Sequence, residues 1–165
     1  MHYYQMNSSK IALIVIDMQA DYIGKTSNYN FYPITFIDKV NERIAIAVKR
    51  NETIIYVKNA GRRNQMPYVS DFADHLSIEA GYQIEKKKLS AFENPALLNI
   101  LKENGISTIE VIGIDGNCCV AASALDAAEL GFSVIFPLKY IGIMSRKQFM
   151  KTRERLCNAN IQIIT

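Results

Sequence analysis

The chain has 165 residues, 49% of them hydrophobic and 21% charged, with a formal net charge of +3. That length can bury a sizeable core, and the composition is that of an ordinary globular protein. So weak a positive balance, with no basic stripe interleaved with aromatics, argues against nucleic acid as a partner. No apolar run approaches the about 18 residues that a membrane span needs. Residues 1–10 are polar and tyrosine-containing, without the apolar stretch of a signal peptide. Three cysteines, two of them adjacent, make no disulfide framework and fit a reducing, cytoplasmic setting.

Apolar and polar residues alternate in a repeating strand–helix order. Residues 11–16 form a first strand of six apolar residues, and residues 36–50 carry apolar positions at helical spacing. Residues 53–58 are a β-branched second strand and residues 81–86 a third. Pro95 opens a helix that Gly105 ends. Residues 108–112 form a fourth strand, 121–130 a helix and 133–136 a fifth strand. Ser145 caps a helix running to residue 158, and residues 161–164 form a last strand. No repeat, low-complexity tract or linker interrupts this order, so residues 1–165 read as one domain. The alternation predicts an α/β protein, a three-layer α/β/α sandwich around a central parallel sheet of six strands. Ligands of such sheets bind beyond the carboxyl ends of the strands.

Three segments carry candidate chemistry. Gly113-Ile114-Asp115-Gly116-Asn117-Cys118-Cys119-Val120 places thiols where a strand turns into a helix. Unpaired N–H groups at a helix start carry partial positive charge, which lowers a thiol's pKa and can hold an oxyanion. The plainer reading of such cysteines is packing. Asp17 ends the first strand, where a turn-capping role is the plainer reading. Lys86, Lys87 and Lys88 end the third strand, where solvated charge is the plainer reading of any one lysine. Together, though, a carboxylate base, an ammonium and a thiol nucleophile fit acyl transfer without a metal or a histidine. Cys157, in the late helix, reads as inert packing.

The joint pattern resembles the isochorismatase-like cysteine hydrolases, which include nicotinamidases and N-carbamoylsarcosine amidohydrolase, from about Ile11 to the C-terminus. Asp17 matches the family aspartate, with Gln19 two residues on. Lys86 matches the family lysine, four residues before Ser90-Ala91-Phe92, and Cys119 matches the nucleophile that precedes a valine, here Val120. The resemblance implies strand order 3-2-1-4-5-6. It also implies a cis peptide at Ile114–Asp115 and an oxyanion hole from the amides of Asp115 and Cys119. Asp17 and Lys86 are expected to lower the Cys119 pKa selectively, while Cys118 stays the less reactive thiol and packs sideways. Tyr22 and Phe92 are the expected substrate-binding residues.

Two longer irregular stretches, residues 21–35 and 59–80, are expected to rim the site with Tyr22, Tyr29, Phe31, Tyr32, Tyr68 and Phe72. The family usually has Thr or Ser at the position of Gly116 and a small or apolar residue at that of Asp115. The Asp115 side chain is therefore expected to point away from the oxyanion hole or to pair with a base. Nicotinamidases hold a metal through an Asp and histidines after the second strand. Here that region has none, His75 stands alone, and no metal or cofactor is expected. The Arg62-Arg63 pair reads as loop charge. The resulting expectation is a hydrolase of a small amide, carbamoyl or ureido compound, acting through a thioester acyl-enzyme and assembling as a homodimer or homotetramer. Three alternatives stand beside it: an isochorismatase-type ether hydrolase, a non-catalytic small-molecule binder and a nucleotide-binding Rossmann domain. Cys119 counts against the first, and Asp115 and Gly116 favour the second. The third lacks a G-x-G-x-x-G turn after its first strand.

Overall fold

The first strand organises everything around it. β1 (Ile11–Ile16) alternates Ala12, Ile14 and Ile16 toward one apolar cluster with Leu13 and Val15 toward another. A strand buried on both faces needs neighbours on both edges, and apolar runs of this kind belong to central parallel strands. The computed structural model, which describes residues 10–25, 27 and 31–165, shows those neighbours. β2 (Thr53–Asn59) pairs on one side and β6 (Thr108–Ile114) on the other, both parallel. β5 (Tyr82–Lys86) extends the sheet beyond β2, and β7 (Ser133–Pro137) and β9 (Gln162–Ile164) extend it beyond β6. The order β5-β2-β1-β6-β7-β9 is the expected 3-2-1-4-5-6.

A seventh strand was not anticipated. β8 (Ile141–Gly142) pairs with the end of β6 at Gly113 and Ile114. β7 pairs with β6 only as far as Glu110, so the last residues of β6 would otherwise keep unpaired backbone groups. The stretch after β2 is also less irregular than expected. β3 (Gly61–Arg63) and β4 (Met66–Tyr68) form an antiparallel hairpin whose turn residues, Asn64 and Gln65, have φ of 50° and 65°. Two positive φ values match the twist of a two-residue hairpin, and Gln is an uncommon choice there.

Helices cover the sheet unequally. α1 (Phe36–Lys49) packs Phe36, Ile37, Val40, Ile44 and Ala47 on one face, at helical spacing. α2 (Pro95–Glu103), α3 (Cys119–Glu129) and α4 (Arg146–Asn158) pack on the other through Leu97 and Leu101, Val120 and Ala124, and Phe149 and Leu156. Ser145 caps α4 as expected, accepting from the Gln148 N–H at 3.2 Å. Cys157 lies exposed on α4, not packed. Beneath α1, the buried Arg43 holds Glu110 of β6 at 2.9 and 2.7 Å and Glu52 at 2.7 Å. Among the described residues no helix is long and apolar enough to cross a membrane.

The topology brings the ends of β1 and β6 side by side, with Ile16 opposite Gly113. Gly113 has φ +111°, and a Cβ there would run into the Ile16 carbonyl. Only glycine permits that approach. Asp17 and the turn leading to Cys119 therefore share one edge of the sheet.

Candidate active site

Asp17 leaves β1 with φ 54°, a left-handed conformation that turns the chain out of the strand. Its N–H donates to the Val57 carbonyl at 3.0 Å, and the residue is 5% exposed. Lys86, the last residue of β5, is 1% exposed, whereas Lys87 and Lys88 lie at the surface. The Lys86 Nζ lies 3.1 Å from Asp17 Oδ2 and donates to Cys119 Sγ at 3.3 Å, Asn59 Oδ1 at 3.1 Å and the Lys88 carbonyl at 3.1 Å. Cys119 begins α3. The structure thus brings together Asp17, Lys86 and Cys119, three residues from three strand ends. Asp17 Oδ1 is buried and, among the described residues, has no hydrogen-bond partner.

The sequence motifs around these residues have physical causes. Gln19 is fully buried and staples two segments. Its Oε1 accepts from the Asn59 N–H at 2.6 Å, and its Nε2 donates to the Ser70 carbonyl and hydroxyl at 3.2 Å. Ser90 caps a short 3-10 turn spanning Ala91–Glu93. Ser123 of α3 accepts from the Ala91 N–H at 2.9 Å and donates to the Cys119 carbonyl at 2.7 Å. The Ser-Ala-Phe segment is thereby tied to the helix that carries the thiol.

A cavity of about 380 Å³ opens over this cluster, lined by Asp17, Cys119, Cys118, Tyr22, Asn59 and Asp115, with Phe31, Tyr32, Ile114 and Met144 around them. Tyr22 lies where the sequence placed it, its hydroxyl accepting from Asn59 Nδ2 at 3.0 Å. Phe92 does not reach the cavity. It packs against the apolar core under α2 and α3, beside Phe132, because the 3-10 turn directs Ala91 and Phe92 inward. Of the expected rim aromatics, Phe31 and Tyr32 line the cavity, while Phe72 packs edge-on against Tyr56 at 5.7 Å. Tyr68 lines an adjoining cleft of about 270 Å³ with Arg62, Arg63, Tyr22 and Asn59. Tyr29 and His2 lie outside the described residues.

Two expectations about the thiols need correction. Both Cys118 and Cys119 line the cavity, instead of one packing sideways, although only Cys119 reaches Lys86. The Cys119 pKa is also not lowered. Burial, and then the neighbouring Asp17 charge, push it up to about 12, against the opposing pull of Lys86. Cys118 is raised too, by burial and by Asp115. Burial likewise raises the Asp17 carboxyl, although Lys86 pulls it down. Desolvation outweighs the favourable neighbours at both members of the pair.

The Asp115 carboxylate pairs with no base. Its Oδ2 accepts from the Tyr32 hydroxyl at 2.7 Å and the Met144 N–H at 2.8 Å, and its Oδ1 accepts from the Asn117 N–H at 2.7 Å. The Ile114–Asp115 peptide is cis. Among the described residues, the N–H groups of Asp115 and Cys119 make no backbone hydrogen bond, whereas the Asp115 carbonyl accepts from Cys118 and Val120. Gly116 is a glycine for lack of room. A Cβ there would stand 2.7 Å from Ile143 Cγ1 and 2.9 Å from Ile141 Cγ2, on the segment that carries β8.

A parallel sheet with a carboxylate, an ammonium and a thiol at its carboxyl edge is the architecture of an α/β hydrolytic enzyme. Residues 11–148 match the isochorismatase domain family, and the chain belongs to that family of isochorismatase-like hydrolases. It is similar to a streptothricin hydrolase of Streptomyces noursei, 26% identical over 133 residues, which are 76% of this chain and 47% of that protein. The chain spans about half the length of the curated relatives it matches. An isochorismatase-like hydrolase from Alkaliphilus metalliredigens superimposes with a TM-score of 0.83 at 25% identity, over 95% of this chain and 94% of that one. The pyrazinamidase of Pyrococcus horikoshii, solved in complex with zinc, gives a TM-score of 0.79 at 24% identity over 94% and 99% of the two chains. N-carbamoylsarcosine amidase from Thermoplasma acidophilum gives 0.79 at 23% identity over 94% and 95%. These last two likenesses are of fold.

The residues here do not fit a metal ion of the kind nicotinamidases hold. After β2 come Arg62 and Arg63, whose guanidinium charge repels a cation. Arg63 lies 3.1 Å from the Asp21 carboxylate and stacks 3.8 Å over the Tyr68 ring. His75 is an exposed loop residue. Among the described residues, no cluster of three or more His, Cys, Asp or Glu side chains could hold a metal.

Asn59 was missed in the sequence. It receives one Lys86 hydrogen bond, holds the Tyr22 hydroxyl, and is itself held by Gln19. Its position at the end of β2, level with Lys86 on β5, was the available signal.

Proposed function

We propose that this chain is a cysteine-dependent amidohydrolase of small amide, carbamoyl or ureido compounds, with Asp17, Lys86 and Cys119 as its catalytic residues. One observation carries the reading. A single buried ammonium bridges the carboxylate at 3.1 Å and the thiol at 3.3 Å on the floor of a cavity. The amidase and hydrolase names among its relatives support the same chemistry.

With a thiol pKa of about 12, the resting nucleophile is a neutral thiol and not a preformed thiolate. The proton must therefore leave as the nucleophile attacks. Asp17, whose raised pKa makes it a stronger base than an ordinary carboxylate, takes the Sγ proton while sulfur bonds to the carbonyl carbon. The negative charge on the carbonyl oxygen is held by the N–H groups of Asp115 and Cys119. Collapse expels the amine or ammonia, which carries away the proton from Asp17 and leaves a thioester on Cys119. Asp17 then takes a proton from water, hydroxide attacks the thioester carbon, and the acid departs as sulfur regains its proton. Throughout, Lys86 keeps a positive charge between the two groups that alternate in carrying a negative one. Tyr22 shapes the substrate side of the cavity.

The test is a screen of small amides and ureides for ammonia release, with Cys119→Ala as the control. Acid quench and mass spectrometry should then find an acyl adduct on the Cys119 peptide. Turnover that survives in Cys119→Ala, or a screen without ammonia release and without adduct, refutes the reading. The assembly is proposed to be a homodimer or homotetramer, which sedimentation measures directly.

A further inference from the structure

The charge of the cavity wall sets a preference among substrates. Two carboxylates line it, Asp17 and Asp115, and among the described residues no cationic side chain does. Lys86 lies beneath the floor, held against Asp17, so those two charges offset each other. Asp115 has no such partner. Its three hydrogen bonds come from two backbone N–H groups and a tyrosine hydroxyl, all neutral donors. Among the described residues it forms no ion pair. Dipoles of this kind satisfy the carboxylate oxygens without cancelling their charge.

The nearest arginines belong to the adjoining cleft, beyond Tyr22 and Asn59, and Arg63 is already paired with Asp21. One uncompensated negative charge therefore remains on the cavity wall. Aromatic rings stand with it, because Tyr22, Phe31 and Tyr32 line the same space. The faces of such rings attract cations, and a partly desolvated carboxylate attracts them more strongly than one in bulk water.

We propose that this cavity selects amides that carry a positively charged group, an ammonium or a guanidinium, and that Asp115 is the residue that sets this specificity. The proposal rests on the amidohydrolase reading for the fate of the ligand, but not for its binding. The geometry of the bracket fits the role. Tyr32 donates to Asp115 and its ring packs on Gly142, where a Cβ would stand 2.8 Å from Tyr32 Cδ1. The carboxylate is thus held by Tyr32 and Met144, which line the cavity as Asp115 does, and by the Asn117 N–H.

The experiment uses three primary amides of similar length: γ-aminobutyramide as the cation, valeramide as the neutral isostere and succinamate as the anion. Binding to the Cys119→Ala protein is measured by titration calorimetry, so that no turnover interferes. We expect the cation to bind about tenfold tighter than valeramide, and the anion to bind weakest. Adding Asp115→Asn should erase the difference between cation and neutral amide. Adding Tyr32→Phe, which keeps the carboxylate, should preserve it. Thermal melting of each variant verifies that it is folded. Equal affinities for the three amides overturn the proposal, as does tightest binding of succinamate. A preference that survives Asp115→Asn, or no binding of γ-aminobutyramide, overturns it too. If the protein with Cys119 intact hydrolyses none of the three amides while the binding order holds, the hydrolase reading fails for them and the charge preference stands.

Discussion

Two buried ionic clusters, Asp17–Lys86–Cys119 and Arg43–Glu110–Glu52, lie on the same sheet and are built differently. The second sits toward the amino ends of the strands, under α1. There one guanidinium meets Glu110 through two hydrogen bonds and Glu52 through a third, all between 2.7 and 2.9 Å. Planar, paired contacts of this kind are what a guanidinium offers and an ammonium does not. The first cluster sits at the carboxyl ends, under a cavity. Its ammonium divides itself among four partners, and among the described residues each cluster leaves one buried polar atom without a hydrogen bond, Asp17 Oδ1 here and Arg43 Nη1 there. The contrast teaches where reactivity resides. The Arg43 cluster joins a helix to the sheet and borders a different cleft, at the amino ends of the strands, through Glu52. The Asp17 cluster places a carboxylate beside a thiol, and both line the cavity at the carboxyl ends.

The largest effect that would break this contrast concerns the thiols. Cys119→Ser should lower kcat/KM by about a thousandfold or more, since the serine hydroxyl is a far weaker nucleophile in this setting. Cys118→Ser should keep most of the activity, although its thiol shares the cavity, because only Cys119 touches Lys86. Rates for both variants, measured on one substrate, decide the matter. If Cys118→Ser is the inactive variant, the assignment of the nucleophile falls.

Next in size is the lysine. Lys86→Ala should cost at least about a hundredfold in turnover, because a buried carboxylate and a nucleophile lose their only shared cation. Lys87→Ala and Lys88→Ala should leave rates near those of the unaltered protein. Lys88 contributes its backbone carbonyl, not its side chain, to Lys86. A loss of rate in Lys88→Ala that equals the loss in Lys86→Ala would show that the strand presents the wrong lysine here.

The Arg43 cluster answers in stability. Arg43→Met leaves Glu110 buried without a cation and Glu52 with only the exposed Arg50 at 3.9 Å, and should cost about 3–5 kcal/mol in unfolding free energy. Its effect on kcat per folded molecule should be small. Replacing Glu52, Glu110 and Arg43 together by apolar residues should recover most of that loss, as with other buried ion sets. Denaturant unfolding and kinetics on the same samples separate the two readouts. An Arg43→Met protein that melts normally but turns over slowly would reverse the roles assigned to the clusters.

These two clusters also differ in how far sequence revealed them. Asp17 was legible because it ends an apolar run, and the two thiols because they stand where a strand turns into a helix, but only the family spacing to Val120 separated Cys119 from Cys118. Lys86 was legible only with Ser90-Ala91-Phe92 beside it, since alternation separates Lys86 from Lys87 but not from Lys88. Asn59 and Arg43 were not legible, and Tyr32 was legible as a rim aromatic but not as the partner of Asp115. Their meaning lies in partners 27, 83 and 67 residues away, and no local period records such a pairing. Phe92 packs against the apolar core and is not among the residues that line the cavity, a placement that its motif alone does not display. The pKa of Cys119 was misjudged because sequence displays neighbouring charges but not desolvation, and desolvation dominates here.

The smallest effect, and the one that sharpens the contrast most finely, is in the pH profile. Asp17 acts as base only when ionised, so kcat/KM should fall as pH falls through its pKa. Burial raises that pKa above the ordinary carboxylate value, with Lys86 opposing. The acid limb should therefore lie above the ordinary carboxylate range, not below it as a lysine-paired surface carboxylate would give. The sign has a second consequence. Asn59→Ala removes one partner of the Lys86 ammonium without touching Asp17 directly, leaving Nζ its bonds to Asp17, Cys119 and the Lys88 carbonyl. With fewer competing acceptors, the ammonium should bind the ionised carboxylate more strongly, and the acid limb should move to lower pH. The shift should be a fraction of a pH unit, alongside a loss of about tenfold or less in kcat/KM from the freed Tyr22. Rates of the unaltered and Asn59→Ala proteins across the acid range measure both. An acid limb below the ordinary carboxylate range in the unaltered protein would mean that Lys86, and not burial, sets the state of Asp17.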